Sequence, residues 1–100
     1  MDRLLLQSAL EEILGSENVY FQPPSNVQMS YPAIVYSRDN LHTKFADNLP
    51  YGTDARYQVT VIDRNPDSDI PSKIAALPKC VYDRFFVADN LHHDVFRLYF

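Results

Sequence analysis

The sequence contains little glycine and little cysteine, and each shortage excludes a class of site. Two glycines against seven prolines leave few positions that favour a positive φ, and the prolines stiffen many chain corners. Gly15 and Gly52 stand alone, so no glycine-rich phosphate-binding loop is present. The single cysteine, Cys80, excludes a disulfide within these 100 residues. It lies in the apolar run CVYDRFFV, where we expect a small buried hydrophobe.

Clustered positive charge and long apolar runs are also missing. Nine Lys and Arg residues against 13 Asp and Glu residues give a net charge of −4, and the basic residues are spread thinly. Tight nucleic-acid binding needs a series of phosphate contacts, so this distribution argues against it. No stretch approaches the ~20 apolar residues that span a bilayer. We therefore expect no membrane partner and, with no targeting segment visible, a cytoplasmic location.

The chain has enough apolar side chains to form one domain over residues 1–100. Hydrophobic residues make up 46% of the chain and aromatic residues 13%, so a chain of this length can bury a core. Apolar residues recur at helical spacing over residues 2–14, and Gly15 is placed to end this helix. The predicted apolar face consists of Leu5, Leu6, Ala9, Leu10, Ile13 and Leu14.

Strand-like segments and a second short helix follow. The segment RYQVTVIDR (56–64) alternates, which predicts a half-buried strand. A helix is predicted over 70–77 after a cap at Ser68 or Asp69, and NLHH is predicted to be a hairpin connection. The order α-β-β-β-α-β-β predicts an α+β fold, a mainly antiparallel sheet with the N-terminal helix and the second short helix on one face. The other predicted strands are 19–21, 33–36, 79–89 and 94–100.

The segment GSENVYFQ (15–22) resembles the linker and protease site that follow purification tags. No His run precedes it, Val19 replaces the usual leucine, and Pro23 and Pro24 follow where cleavage needs a small residue. Strand-favouring residues at 19–21, closed by two prolines, predict instead that the segment is the first strand.

Residues 38–54 show no clear period, and we predict an irregular segment longer than a hairpin turn. Its large apolar residues must be buried on the core or on a neighbour. The C-terminal pair of predicted strands, 79–89 and 94–100, has large residues on both faces, and two short helices can cover only one face of the sheet. A neighbouring subunit is the simplest further cover. The predicted subunit interface consists of Leu41, Phe45, Leu49, Tyr51 and Tyr99.

Candidate chemistry is sparse. Adjacent histidines such as His92 and His93 point apart on a strand or tight turn, and no nearby residue completes a zinc pattern. The aspartates of DRNPDSD (63–69) lack the glycine hinge and final glutamate of a calcium loop, so turn and cap roles are expected. We expect no catalytic, cofactor or metal site and no enzyme activity. A small hydrolase using His92 or His93 is the enzyme alternative.

Taken together, four segments resemble the tail-terminator and tail-completion proteins of long-tailed bacteriophages. The segments are NVYFQPP, YPAIVYS, YQVTVIDRNPDSDIPSKIAAL and FFVADNLHHDVFRLYF. The resemblance lies in element order and segment character over most of the chain, and the strand–turn–short-helix unit at 56–77 carries it best.

The resemblance implies a structural virion protein of the tail or neck, assembled in the cytoplasm of the host bacterium. Such proteins form a homo-oligomeric ring, usually of six subunits, at the head-proximal end of the tail tube. The ring ends tube polymerisation, binds the tail tube protein and presents a head–tail joining surface to a neck or head-completion protein. DNA passes through its lumen without specific binding. The alternatives are another neck or connector ring protein of the same particle and a small cytoplasmic protein-binding module.

Overall fold

The computed structural model has the predicted α+β fold, with two helices and a five-stranded sheet. It describes residues 3–24, 28–46 and 49–100, and for residues 40–46 and 49–54 it describes the backbone alone. The elements follow the predicted order: α1 (Arg3–Leu14), β1 (Val19–Phe21), β2 (Ala33–Ala46), β3 (Leu49–Asp63), α2 (Ile70–Ala75), β4 (Cys80–Ala88) and β5 (Leu91–Tyr99).

The sheet has the strand order β1-β2-β3-β5-β4, so β1 and β4 are its two edges. β1 runs parallel to β2, and every other neighbouring pair is antiparallel. The two edges differ in length, because β1 has three residues and β4 has nine. β4 therefore presents a longer unpaired edge than β1.

Both helices pack on one face of the sheet. Leu6 and Leu10 of α1 and Ile74 of α2 are fully buried in one core with the sheet residues beneath them. The predicted alternation in β3 is confirmed, because Tyr57, Val59 and Val61 all point into this core. The sheet's contribution to the core is completed by Val19, Ile34, Tyr36, Ala55, Phe96 and Leu98. We call the opposite side of the sheet the open face.

The segment GSENVYFQ is part of the fold. Gly15 has a φ of 80°, and its N–H bonds the carbonyl of Glu11 at 2.8 Å, so it ends α1 as predicted. Val19 is buried, and the ring of Phe21 contacts that of Tyr36 at 5.0 Å. Residues 19–21 form β1 within the predicted bounds.

One residue predicted to lie on the apolar face of α1 lies outside the core. Leu5 is 62% exposed, whereas Leu6 is fully buried. The helix contacts the sheet along a stripe centred on Leu6 and Leu10. The apolar face predicted from helical spacing is wider than this stripe and includes Leu5, which lies outside it. Ile13 and Leu14 are partly buried and pack against the core as predicted.

The prediction of an irregular segment over residues 38–54 is wrong. The backbone of residues 38–46 and 49–54 belongs to β2 and β3, which form one long antiparallel hairpin. Apolar and polar residues alternate along a strand when one of its faces is buried. Most of this hairpin lies beyond the residues that pair with β1 or β5, so its sequence does not alternate although its two strands are hydrogen-bonded to each other.

The predicted NLHH connection is also wrong. The turn between β4 and β5 consists of Asp89 and Asn90, whose φ angles of 53° and 61° are typical of a two-residue hairpin turn. Asn and Asp tolerate this conformation better than other residues with side chains. β5 therefore begins at Leu91, and both His92 and His93 lie inside it.

Candidate assembly surface

The β2–β3 hairpin extends well beyond the body of the molecule. Its ladder continues to the pair Ala46 and Leu49, whereas the ladder between β3 and β5 ends at Arg56 and Tyr99. Residues 40–46 and 49–54 therefore form a two-stranded projection, which we call the arm. At the strand rise of 3.2–3.4 Å per residue the arm is roughly 20 Å long. It makes the molecule elongated, with extents of 51 × 25 × 23 Å.

Four of the five predicted interface residues lie on the arm. Leu41 and Phe45 are in its β2 strand, and Leu49 and Tyr51 are in its β3 strand. Their side chains lie outside the part of the chain that the structure describes. Tyr99 lies at the base of the arm, where its backbone pairs with Arg56 and its side chain is half-buried. The backbone thus places all five residues on or beside one projection.

A set of ion pairs crosses the sheet at the base of the arm. A register shift in β2 falls at Asp39, whose carboxylate lies between two arginines of neighbouring strands. Arg56 Nε donates to Asp39 Oδ1 at 2.8 Å, and a guanidinium N–H of Arg97 donates to the other oxygen. The hydrogen bond to Asp39, followed by one to Tyr99, raises the pKa of Arg56. These contacts connect β2, β3 and β5 beside the predicted interface residue Tyr99.

The same set of ion pairs continues to the edge strand β4. The second guanidinium nitrogen of Arg97 lies 3.5 Å from Asp83 Oδ2, and Arg84 donates to that oxygen at 2.8 Å. Asp83 occupies a bulge between Tyr82 and Arg84. The network therefore runs across four strands of the open face, from Asp39 to Arg84.

Sequence reasoning did not identify this network. The alternation of β5 places Arg97 on the same face as Tyr99, and this pattern could have been used to predict a charged group beside the interface residue. The two aspartates, however, are at register shifts, where alternation fails and a sequence pattern cannot assign a face.

The edge strand β4 exposes large apolar side chains on both of its faces. Val81, Tyr82, Phe85, Phe86 and Val87 are between 39% and 64% exposed. The two strands of the predicted C-terminal pair differ in burial. β5 lies between β3 and β4, and Val95, Phe96 and Leu98 are buried within the chain. Among the described strands of this pair, β4 is the one with exposed apolar side chains on both faces.

The exposed aromatic side chains of β4 are held by contacts to β5. Tyr82 packs edge-on to Phe96 at 5.2 Å and donates its hydroxyl to Asp94 at 3.1 Å. Burial of the phenol, followed by this hydrogen bond, raises the pKa of Tyr82. Phe85 stacks on the ring of His92, with centroids 5.8 Å apart. These rings are oriented by their neighbours although one side of each faces solvent.

The two histidines take no part in a recognisable reactive group. They point apart as predicted, and His93 stacks on Phe86 at 4.5 Å while His92 stacks on Phe85. His92 Nδ1 is buried and makes no hydrogen bond to the described residues. Within residues 3–24, 28–46 and 49–100, no three His, Cys, Asp or Glu side chains are grouped to hold a metal ion.

The segment DRNPDSD forms the predicted turn and helix start, and of the two predicted cap residues Ser68, not Asp69, accepts a hydrogen bond at the start of α2. Asp63 Oδ1 accepts from the Asn65 N–H at 3.0 Å, and Asn65 accepts in the same way from Asp67. Asp69 is the N-cap residue of α2, and Ser68 Oγ accepts from the Ile70 N–H at 3.3 Å. Local hydrogen bonds thus account for this segment.

A small apolar cavity lies where α1 meets the end of β5. Its volume is about 170 Å³, and its lining includes Leu6, Ala9 and Leu98. Ligand sites usually have volumes of roughly 300–1,000 Å³ and a few convergent polar groups. This cavity is smaller and lined mainly by apolar side chains. Cys80, which follows the lining residue Lys79 in the chain, is half-buried, and burial raises the pKa of its thiol.

In the described part of the chain, neither helix has the length and apolar character needed to cross a membrane. The comparisons with known proteins return no match: no family model matches the chain, and neither the curated proteins nor the solved structures contain a significant match.

Proposed function

We propose that the chain is a structural subunit of a bacteriophage tail that forms a ring of six copies at the head-proximal end of the tail tube. The ring ends tube polymerisation and provides the surface that joins tail to head. The observation that carries this proposal is the arm, which contains four of the five predicted interface residues and projects past the last β3–β5 pair. The segment resemblance supplies the type of assembly.

The arm supports an assembly role because a two-stranded ribbon needs a surface to pack on. An isolated hairpin in water is marginally stable, and stable sheets need a third strand or a covering element. A projection on one side of a subunit that docks on a different surface of its neighbour makes a heterologous contact. Heterologous contacts that close produce rings. The arginine–aspartate network at the arm's base provides an ordered polar support for such a contact.

The charge of the chain suits a ring through which DNA passes. A net charge of −4 per subunit is compatible with an acidic lumen, which would repel phosphates through a field screened within about 8 Å at physiological salt. DNA would therefore slide through without specific binding, as the ring's function requires.

The test is a tube-growth assay with the tail tube protein of the same phage. We expect that adding the chain during polymerisation gives short tubes of unchanging length, because the ring occupies the growing end. Tubes that grow to the same length with and without the chain would contradict the proposal. A small binding module that uses the arm on a single partner would also leave tube growth unchanged, so the assay separates the two functions.

A further inference from the structure

We propose that β4 of one chain pairs antiparallel with β4 of a second copy, about a two-fold axis that passes between Asp83 and Arg84. The pair would join two five-stranded sheets into one continuous sheet. This surface is separate from the arm, and it is assigned by the pattern of faces and charges along β4.

The β4 edge has the properties that favour pairing with another strand. Edge strands are normally protected by being short or by carrying several charged residues. β1 is short, with three residues, whereas β4 has nine and exposes five large apolar side chains. The only charged residues of β4 are Asp83 and Arg84, and they are adjacent at its centre.

The bulge at Asp83 determines which residues share a face. Before it, Tyr82 pairs with the core residue Phe96 and lies on the helix face, while Val81 pairs with Arg97 and lies on the open face. After it, Phe85 pairs with Asp94 and lies on the helix face, while Phe86 lies on the open face. Without the bulge, Val81 and Phe86 would lie on opposite faces because their numbers differ by five.

An axis between Asp83 and Arg84 matches these faces across the two chains. Residues directly opposite each other in an antiparallel pair lie on the same face of the sheet. In this register Val81 lies opposite Phe86 of the second copy, and Tyr82 lies opposite Phe85. In both pairs the two residues lie on the same face of the sheet, and both pairs bring exposed apolar side chains together. Cys80 and Val87, both on the helix face, are the next matching pair.

The charges at the centre are complementary in the same register. Asp83 of each chain lies opposite Arg84 of the other, which gives two ion pairs related by the two-fold axis. Arg97 supports Asp83 from the neighbouring strand within each chain, at 3.5 Å. The sequence Val-Tyr-Asp-Arg-Phe-Phe is thus self-complementary: two apolar residues and an acid face a base and two apolar residues.

The pair is independent of the ring proposed above. A two-fold contact is isologous and closes after two chains, whereas a polar ring repeats a heterologous contact. We therefore assign the β4 pair to the free chain in solution, before it assembles on the tail tube. Tube growth tests the ring, and the experiments below test the pair, so either can fail alone.

The first test is cysteine cross-linking in a Cys80→Ala background. Val81→Cys and Phe86→Cys are made in separate chains, and the two are mixed under mild oxidation. Opposite residues of an antiparallel pair have Cα atoms about 4.5–5.5 Å apart, within the range of a disulfide. We expect cross-linked dimers in the mixture only, because two copies of Val81 lie five residues apart along the pair, roughly 17 Å.

Two outcomes would overturn the register. These are no cross-link in the mixture, or an equal cross-link in either variant alone.

The second test measures the mass of the chain in solution by light scattering. The wild-type chain should have twice the 11.6 kDa mass of one chain. Phe85→Lys should give single chains, because a lysine on an edge strand blocks pairing. Leu5→Lys places the same charge on the exposed surface of α1 and should remain paired. A wild-type monomer, or a folded Phe85→Lys variant that stays paired, would contradict the proposal.

Charge exchange gives a control that does not depend on the apolar residues. Asp83→Arg and Arg84→Asp should each weaken the pair, because each sets like charges opposite one another. A mixture of the two variants restores two opposite-charge contacts, so pairing should recover. If the mixture pairs no better than either variant alone, the central contacts are not those proposed. Arg84→Asp removes the Arg84–Asp83 bond within its own chain and retains the Asp83–Arg97 contact. Mixing restores no contact within either chain, so recovery in the mixture reports on the contacts between chains.

Discussion

At the scale of single residues, Tyr36 connects α1 to the sheet. Its side chain is fully buried between the rings of Phe21 and Tyr57. Its hydroxyl donates to Gln7 Oε1 and accepts from the Arg3 guanidinium at 3.1 Å. Burial raises the pKa of Tyr36, although the contact with Arg3 acts in the opposite direction. One side chain thus combines core packing with a polar contact to the helix.

The raised pKa predicts how stability depends on alkaline pH. An unfolded tyrosine ionises near pH 10, so its folded counterpart binds its proton more tightly above that value. The stabilisation is complete below about pH 10 and is lost as the pH rises through the folded pKa. The free energy of unfolding of Tyr36→Phe at pH 7 should be about 2 kcal/mol lower than that of the wild type, because two hydrogen bonds are lost. In urea unfolding at several pH values, the free energy of unfolding of Tyr36→Phe should fall less steeply above pH 10 than that of the wild type. Equal declines would contradict this assignment.

Residue roles could be predicted where a local pattern determines them. Gly15 and Asp63 have the expected roles, because a helix end and an Asx turn depend on neighbouring residues alone. The pairing of Asp39 with Arg97 could not be predicted, because these residues are 58 positions apart and a bulge determines the orientation of Asp39.

At the scale of elements, α1 is held by a narrow stripe of leucines. Leu6 and Leu10 are fully buried against the sheet, whereas the neighbouring Leu4 and Leu5 are largely exposed. Adjacent residues on a helix point about 100° apart, so the same residue type can have two different roles one position apart. This gives a pair of matched sites for measuring what the helix contributes.

Leu6→Ala should lower the free energy of unfolding by about 2–5 kcal/mol, since it leaves a cavity in the core. Leu5→Ala is the matched control and should change it by less than about 0.5 kcal/mol. Chemical denaturation of both variants measures the difference. Similar losses in the two variants would mean that α1 is not packed along Leu6 and Leu10.

Element type was predictable where burial is one-sided. α1, β3 and α2 show the spacing that a single buried face imposes, and the structure has all three. β1 was predicted from strand-favouring residues followed by two prolines, and it is also present. The arm extends beyond the point where β5 stops pairing with β3, so the body of the molecule imposes no single buried face on it. Its residues therefore show no alternation from which strands could be predicted. The turn at Asp89 and Asn90 was placed too late because the aromatic and histidine residues around it suit both strand and connection.

At the scale of the whole molecule, the arm and the β4 edge are two separate surfaces. The arm projects from the end of the sheet where β5 stops, and β4 runs along one side of the sheet. The predicted interface was confined to the arm and Tyr99, and it included none of the aromatic residues of β4. Only the strand order shows that β4 is an edge.

Phe45→Asp should weaken ring assembly on tube ends more than it weakens folding. Buried aromatic anchors commonly dominate contact energies, and a charge placed in such a contact is costly to desolvate. Leu5→Asp is the control for an added charge on the exposed surface of the body. The melting temperature of each variant should be compared with its occupancy of tube ends. If the melting temperature of Phe45→Asp collapses and assembly only follows, Phe45 belongs to the core.

The most direct measurement is electron microscopy of tail tubes incubated with the purified chain, with averaged views along the tube axis. A subunit that ends tube growth should appear as a six-fold ring on one end of each tube, and Phe45→Asp should leave most ends bare. Bare ends in the wild-type sample, with the chain remaining free in solution, would contradict the proposed function.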